Sequence, residues 1–213
     1  MRFSPFLLAA ALIASPVRAQ SADDARAAIA AVLAHQSSVR GAESAAQACV
    51  APVLAGPPVA AGEEDPMMPD HAVRISFQWH VPDPPAVLRP PRPPQTDGRR
   101  QRTPRPPPMV LPAAVPAALA ARLDALRAEA ARSPSAPVIA QIDPSLVTAP
   151  MELQDPMRDC APLQLSAPAF AGDMAFVETA YACGTTCGNG NLYALQRRDG
   201  RWEVVAVGDT WIS

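Results

Sequence analysis

Eleven of the chain's 27 prolines are crowded into the 27 residues from Pro82 to Pro108. Proline lacks a donor N–H and fixes φ, so this stretch can be neither a helix interior nor a central strand. It also holds six arginines, and its only apolar aliphatic side chains besides proline and alanine are Val87 and Leu88. Such a composition dictates a flexible, largely polyproline-II excursion. The chain therefore divides into a part at 20–81, a disordered Pro/Arg-rich insert at 82–110, and a part at 111–213. The two outer parts are expected to form one domain, in keeping with a length of 213 residues.

The first residues read as an address. Met1-Arg2 gives a positive start, Pro5 to Ser15 an apolar run, and Val17-Arg18-Ala19 a small-x-small cleavage site. This is the pattern of a secretory signal peptide at 1–19, cut after Ala19. A bilayer-spanning helix needs about 20 apolar residues, more than this run supplies. No cysteine stands at the cleavage site to carry a lipid anchor. The expected product is a periplasmic or secreted protein.

All 18 basic residues are arginines, against 20 carboxylates, and the net charge is −2. Removing Arg2 and Arg18 with the signal peptide leaves 16 arginines against 20 carboxylates, a net of −4. A chain so balanced has no global attraction for nucleic acid or an acidic membrane surface. The charge is nevertheless split. Arg89 to Arg105 carries six arginines and one aspartate, Asp97, a local basic arm suited to an anionic envelope component or a protein partner.

Cys49, Cys160, Cys183 and Cys187 are an even set, which in a secreted chain reads as two disulfides with three connectivities open. Proximity favours Cys183 with Cys187, leaving Cys49 with Cys160. In the chain-entropy picture the long loop is worth about 4–5 kcal/mol and the short one about 2 kcal/mol. The competing chemistries fit less well. Redox pairs use a C-x2-C spacing at a helix start, whereas Cys183-Gly-Thr-Thr-Cys187-Gly-Asn-Gly-Asn reads as a loop. A zinc site wants four close ligands, and no histidine follows His80.

Elsewhere the pattern predicts α+β. Ser21-x-x-Asp24 is a capping pattern, and Ala25, Ala28, Ile29, Val32 and Leu33 form a helical stripe ended by Gly41. Ser44 to Val50 is expected to make a short helical turn carrying Cys49. Ile75, Phe77, Trp79 and Val81 alternate with Arg74, Ser76, Gln78 and His80, the signature of a strand with one covered face. A second helix is expected from Pro112 or Pro116 to Arg132. Val115, Leu119, Leu123 and Leu126 are its stripe, and the pairs Asp124/Arg127 and Glu129/Arg132 lie on its wet side. Strands are expected at 138–142, 163–166, 174–181, 192–197 and 202–207, the last two joined by the Asp199-Gly200 turn. Together these give two main helices packed on a curved antiparallel sheet of about five strands.

The last fifty residues carry Phe176-Val-Glu, Cys183-Gly-x-x-Cys187-Gly-x-Gly, Tyr193-x-Leu195, Gly200-x-Trp202-x-Val204-Val205 and Trp211-Ile-Ser213. This ending resembles a terminal pattern of uncharacterised secreted bacterial proteins, a likeness that implies no catalytic residue. A more distant resemblance is to the nuclear-transport-factor-like or cystatin-like cone, which implies a helix in the concavity of a sheet and a cavity beside it.

Strand-borne polar groups could line such a cavity: Gln78, His80, Glu178, Tyr181 and Asp209. By alternation Glu178 shares a face with Phe176, and Asp209 one with Val207 and Trp211. His80 has the near-neutral pKa of a general base, but it alternates with Arg74 and Gln78 and so reads as an exposed strand-end residue. Met67, Met68, Asp70 and His71 offer soft and imidazole ligands of the kind copper takes, yet Pro66 and Pro69 interrupt them. No nucleophile elbow, zinc-protease helix, P-loop or dinucleotide glycine pattern occurs in the chain. The sequence points to a non-enzymatic domain that binds a small ligand or an envelope partner, without cofactor or resident metal. The rival is a small periplasmic hydrolase or isomerase using His80, Glu178 or Asp209 as acid or base. The cysteine reading has a direct check: intact mass without reductant comes out about 4 Da below the reduced chain, and four free thiols would refute it.

Overall fold

The computed structural model describes residues 21–45, 48–58, 67–83, 112–132, 139–155, 160–183 and 187–213. The expected signal peptide and, beyond Asp83, the insert lie outside the described residues, as does the arginine run at 89–105.

Helix α1 spans Ala22–Ala45. Its start is the expected one: the Asp24 N–H donates to Ser21 Oγ at 3.0 Å, and Asp23 and Asp24 place negative charge in the first turn. The stripe Ala25, Ala28, Ile29, Val32, Leu33 is buried and continues to Gln36. Gly41 does not end the helix, as a lone glycine costs only about 1 kcal/mol against alanine. Cys49 sits not on a helical turn but in strand β1 (Ala48–Val50), which runs parallel to both of its neighbours. Helix α2 spans Ala117–Arg132, its apolar stripe turned inward as expected. Asp124 is exposed as expected, but Arg127 is buried and the two do not form the expected pair. Asp124 Oδ1 accepts the Trp79 indole N–H at 2.8 Å, and the buried Arg127 guanidinium lies 4.9 Å from the centre of the Phe77 ring.

The sheet is larger than expected and mixed. Nine strands appear among the described residues: β1, β2 (Val73–Arg74), β3 (Trp79–His80), β4 (Glu152–Leu153), β5 (Ala161–Leu165), β6 (Ala169–Ala171), β7 (Met174–Ala182), β8 (Gly188–Arg198) and β9 (Arg201–Ile212). The order is β2-β9-β8-β7-β5-β1-β4, with β3 also on β9 and β6 on β7. Five of these strands have only two or three residues, too few to leave a period in sequence. The strand expected over Arg74–Val81 is split into β2 and β3. From Arg74↔Trp211 to Trp79↔Gly208 the chain advances five residues while β9 advances three, so two residues bulge out of register. Of the strand expected at 138–142, the described residues 139–142 contribute a single bridge, Gln141 to Val53, rather than a strand.

The two helices cover opposite faces. Ala175 and Val177 of β7 pack with α1 residues Ile29, Val32 and Leu33, whereas Met174 and Phe176 pack with Leu123 and Ala130 of α2. Both faces of β7 are thus buried over its first seven residues, and the run Met-Ala-Phe-Val is apolar on both sides for that reason.

Two disulfides hold the arrangement, with the pairing that proximity favours. Cys49–Cys160 ties β1 to the residue before β5 (Cα–Cα 6.0 Å), and Cys183–Cys187 closes the end of the β7–β8 hairpin (Cα–Cα 5.2 Å). The β8–β9 turn is formed by Asp199 (φ 48°) and Gly200 (φ 80°), both left-handed, as a two-residue type I′ turn requires.

The glycines after Cys187 have a packing reason. A Cβ on Gly190 would stand 2.2 Å from Trp211 Nε1 and 2.4 Å from Thr210 Oγ1, so the cross-strand indole occupies the space a side chain would need. Gly190→Ala is expected to lower the unfolding free energy by about 1–3 kcal/mol through overpacking. Gly56→Ala, with open space around it, should stay within about 0.5 kcal/mol of the parent. Urea denaturation of the two variants measures the difference, and equal midpoints would refute the packing account.

Candidate functional site

A cavity of about 160 Å³ opens where α1 crosses the end of β3 and the middle of β8 and β9. Its polar lining consists of His35, His80, Asp83, Asn191, Tyr193 and Asp209, and its apolar wall of Val39, Val81, Pro112 and Val207. Two of the candidates expected from sequence, His80 and Asp209, meet here. Their closest approach is 3.9 Å, between Nε2 and Oδ2. That is longer than a hydrogen bond, so the two groups face a shared space without satisfying each other. His80 Nδ1 is buried and without a hydrogen-bond partner. Asp209 is about half exposed (47%), at the open side.

The local sequence explains the convergence through two bulges in β9. Between Leu195↔Val204 and Ala194↔Ala206, β9 gains one residue, Val205; between Asn191↔Asp209 and Gly190↔Trp211 it gains Thr210. Each extra residue reverses the alternation that follows it. Trp202 and Val204 pack on the α1 side; strict alternation from them would send Val207 and Asp209 to the α2 side, and the first bulge brings both back under α1. The second sends Trp211 the other way, to pack with Ala180 and Met67. Asp209 therefore shares a face with Val207, as expected, but not with Trp211.

His35 was not singled out from sequence, nor were Asp83, Asn191 and Tyr193. His35 and Val39 are one turn apart on α1, at the margin of the apolar stripe, where the only available signal was a lone histidine at helical spacing. Its ring meets that of Tyr193 edge-on, with centroids 5.7 Å apart, and the Tyr193 hydroxyl accepts from the Gln36 side-chain amide at 2.5 Å. Burial strips water from the imidazolium and lowers the His35 pKa below its ordinary 6.5; the negative charge of Asp83 opposes this more weakly.

The remaining candidates lie elsewhere. Glu178 is 2% exposed and, as expected, shares the Phe176 face. That is the side opposite the cavity, since it pairs with Leu192, which packs toward α2. Its backbone N–H donates to Ser166 Oγ at 2.8 Å. Tyr181 packs at the edge of the α1 core. Gln78 lines a wider groove beside Phe77, Trp79 and Asp124. Met67 and Met68 pack against Trp211 and Ala180, while Asp70 and His71 are exposed; the thioethers serve as core. Among the described residues no three His, Cys, Asp or Glu side chains are grouped closely enough to hold a metal ion.

A cavity with a neutral imidazole, a second imidazole beside a carboxylate, an amide and a phenol can orient a small polar molecule. It also has a pH signature. A His35 pKa lowered in the fold means that the unfolded chain binds more protons below about pH 6.5. The stability His35 permits is therefore complete above that value and is lost as pH falls through the folded-state pKa. The urea midpoint is expected to drop from pH 7.5 to pH 5, and His35→Gln is expected to flatten the drop. An unchanged slope in the variant would show that His35 is not desolvated. Comparison with family models, with curated proteins and with solved structures gives no match, so the functional reading rests on this geometry.

Proposed function

We infer that this is a secreted or periplasmic, non-enzymatic domain that binds a small polar ligand in the cleft between α1 and the β3–β9–β8 surface. The observation that carries the reading is the convergence of six polar side chains from four elements or their margins on one cavity. Pockets with a few oriented polar groups on an apolar wall are the usual form of small-molecule sites. The two bonded cysteine pairs support an oxidising compartment, and among the described residues no helix is long and apolar enough to cross a membrane. The arginine run at 89–105 supports contact with an anionic envelope component as a separate attachment.

The His80–Asp209 pair favours a second reading, a small hydrolase or isomerase. Acid–base dyads orient the imidazole through one nitrogen and react through the other. Here the nitrogen remote from Asp209 is buried, which favours binding over turnover.

The chain has three histidines, and only two of them line the cleft, which makes ring-labelled histidine a specific probe. Titration with amines, alcohols and carboxylic acids of under about ten heavy atoms is expected to move the His35 and His80 resonances and to leave His71 in place. No movement with any class, or equal movement of His71, would overturn the binding reading. Ester hydrolysis abolished by His80→Ala would replace it with the enzymatic one.

A further inference from the structure

We propose that the ligand is a small organic cation, an amine with a short apolar body, seated with its ammonium between Asp83 and Asp209. The inference rests on the cleft being a binding site and names the class of molecule it takes. Among the described residues, two carboxylates line the cavity and no arginine or lysine does. His35 is held neutral by its burial, and Asp83 lies close enough to act on it electrostatically. The fixed charge that the described residues turn to the cavity is therefore negative, and a concave site of one sign with low-dielectric walls concentrates counter-ions of the other. An anion would meet two carboxylates, and a neutral ligand would leave them uncompensated on desolvation.

The walls set the rest of the molecule. Val39, Val81, Pro112 and Val207 give an apolar side, and the largely buried Tyr193 also lines the cavity. A volume of about 160 Å³ is close to the roughly 150 Å³ that holds one benzene in an engineered core cavity. The fitting ligand has one small ring or a short chain beside its ammonium. The 3.9 Å gap between His80 Nε2 and Asp209 Oδ2 leaves both atoms with unused capacity toward a donor placed beside them.

The test uses three probes of one shape on the oxidised protein at pH 7.5: 2-phenylethylamine, 2-phenylethanol and phenylacetate. Binding is followed by calorimetry and by the His35 and His80 ring signals. The amine is expected to bind at least tenfold more tightly than the alcohol, and phenylacetate not at all. Asp209→Asn and Asp83→Asn should each weaken the amine by about tenfold and leave the alcohol unchanged, a pattern that misfolding would not give. Glu203→Gln, near the hairpin tip, should alter neither. Alcohol or acid binding as tightly as the amine, with the same histidine signals moving, overturns the cation assignment and leaves the cleft a binding site. Silence from all three probes overturns the assignment and the binding reading beneath it.

Discussion

The register of the β8–β9 hairpin is the constraint on which the rest depends. Two left-handed residues, Asp199 and Gly200, start the ladder at Arg198↔Arg201, and the first pairs run in strict step to Leu195↔Val204. A slip of one residue would exchange every side chain between the two faces. Because each face of this sheet carries its own helix and core cluster, a slip would expel Trp202 and Leu195 from one core and Ala194 and Ala206 from the other. Such a register is defended from both sides, in contrast with a sheet that has one wet face.

Two bulges then depart from that register in a way that shapes the cleft. Val205 and Thr210 are each one residue more than β8 can pair. Between them lies the short segment Ala206–Asp209, and only there does β9 present Val207 and Asp209 toward α1. The bulges aim a carboxylate at the cleft and, two residues beyond Asp209, lay the Trp211 indole over Gly190. Stability and site geometry are therefore coupled. The tight Gly190–Trp211 approach anchors the segment that positions Asp209, and the Cys183–Cys187 bond closes the hairpin end beside it.

The polar interior follows the same division. Gln36 and Tyr193 satisfy each other beneath α1, Trp79 is fastened to Asp124 across the α2 face, and Asp24 pairs with Arg197 at 2.9 Å to hold the start of α1 against β8. These partly buried pairs bind helices to strands at fixed heights. His35 and His80 are set in the cleft by helices and strands already packed, not by a loop that could move them.

Much of this was legible in the residues alone. The capping serine, the two helical stripes, the Asp-Gly turn, the face of Glu178 and both cysteine pairings follow from local periodicity, φ preference and proximity, each of which acts within a few residues or on a small set of choices. The short strands, the parallel placement of Cys49, the Trp79–Asp124 bond, the inward Arg127, and the cleft itself do not. A strand of two residues has no period, a bulge has no composition of its own, and a histidine at the edge of a helix stripe gains meaning only when a strand residue 45 positions away is brought beside it. Sequence by itself determined the two helices, the long strands of the final hairpin with its turn, and the cysteine pairing that proximity favours, because those are short-range decisions. Only the tertiary structure decided that His35, His80 and Asp209 share a cavity while Glu178 does not, because that depends on register and on which face each helix covers.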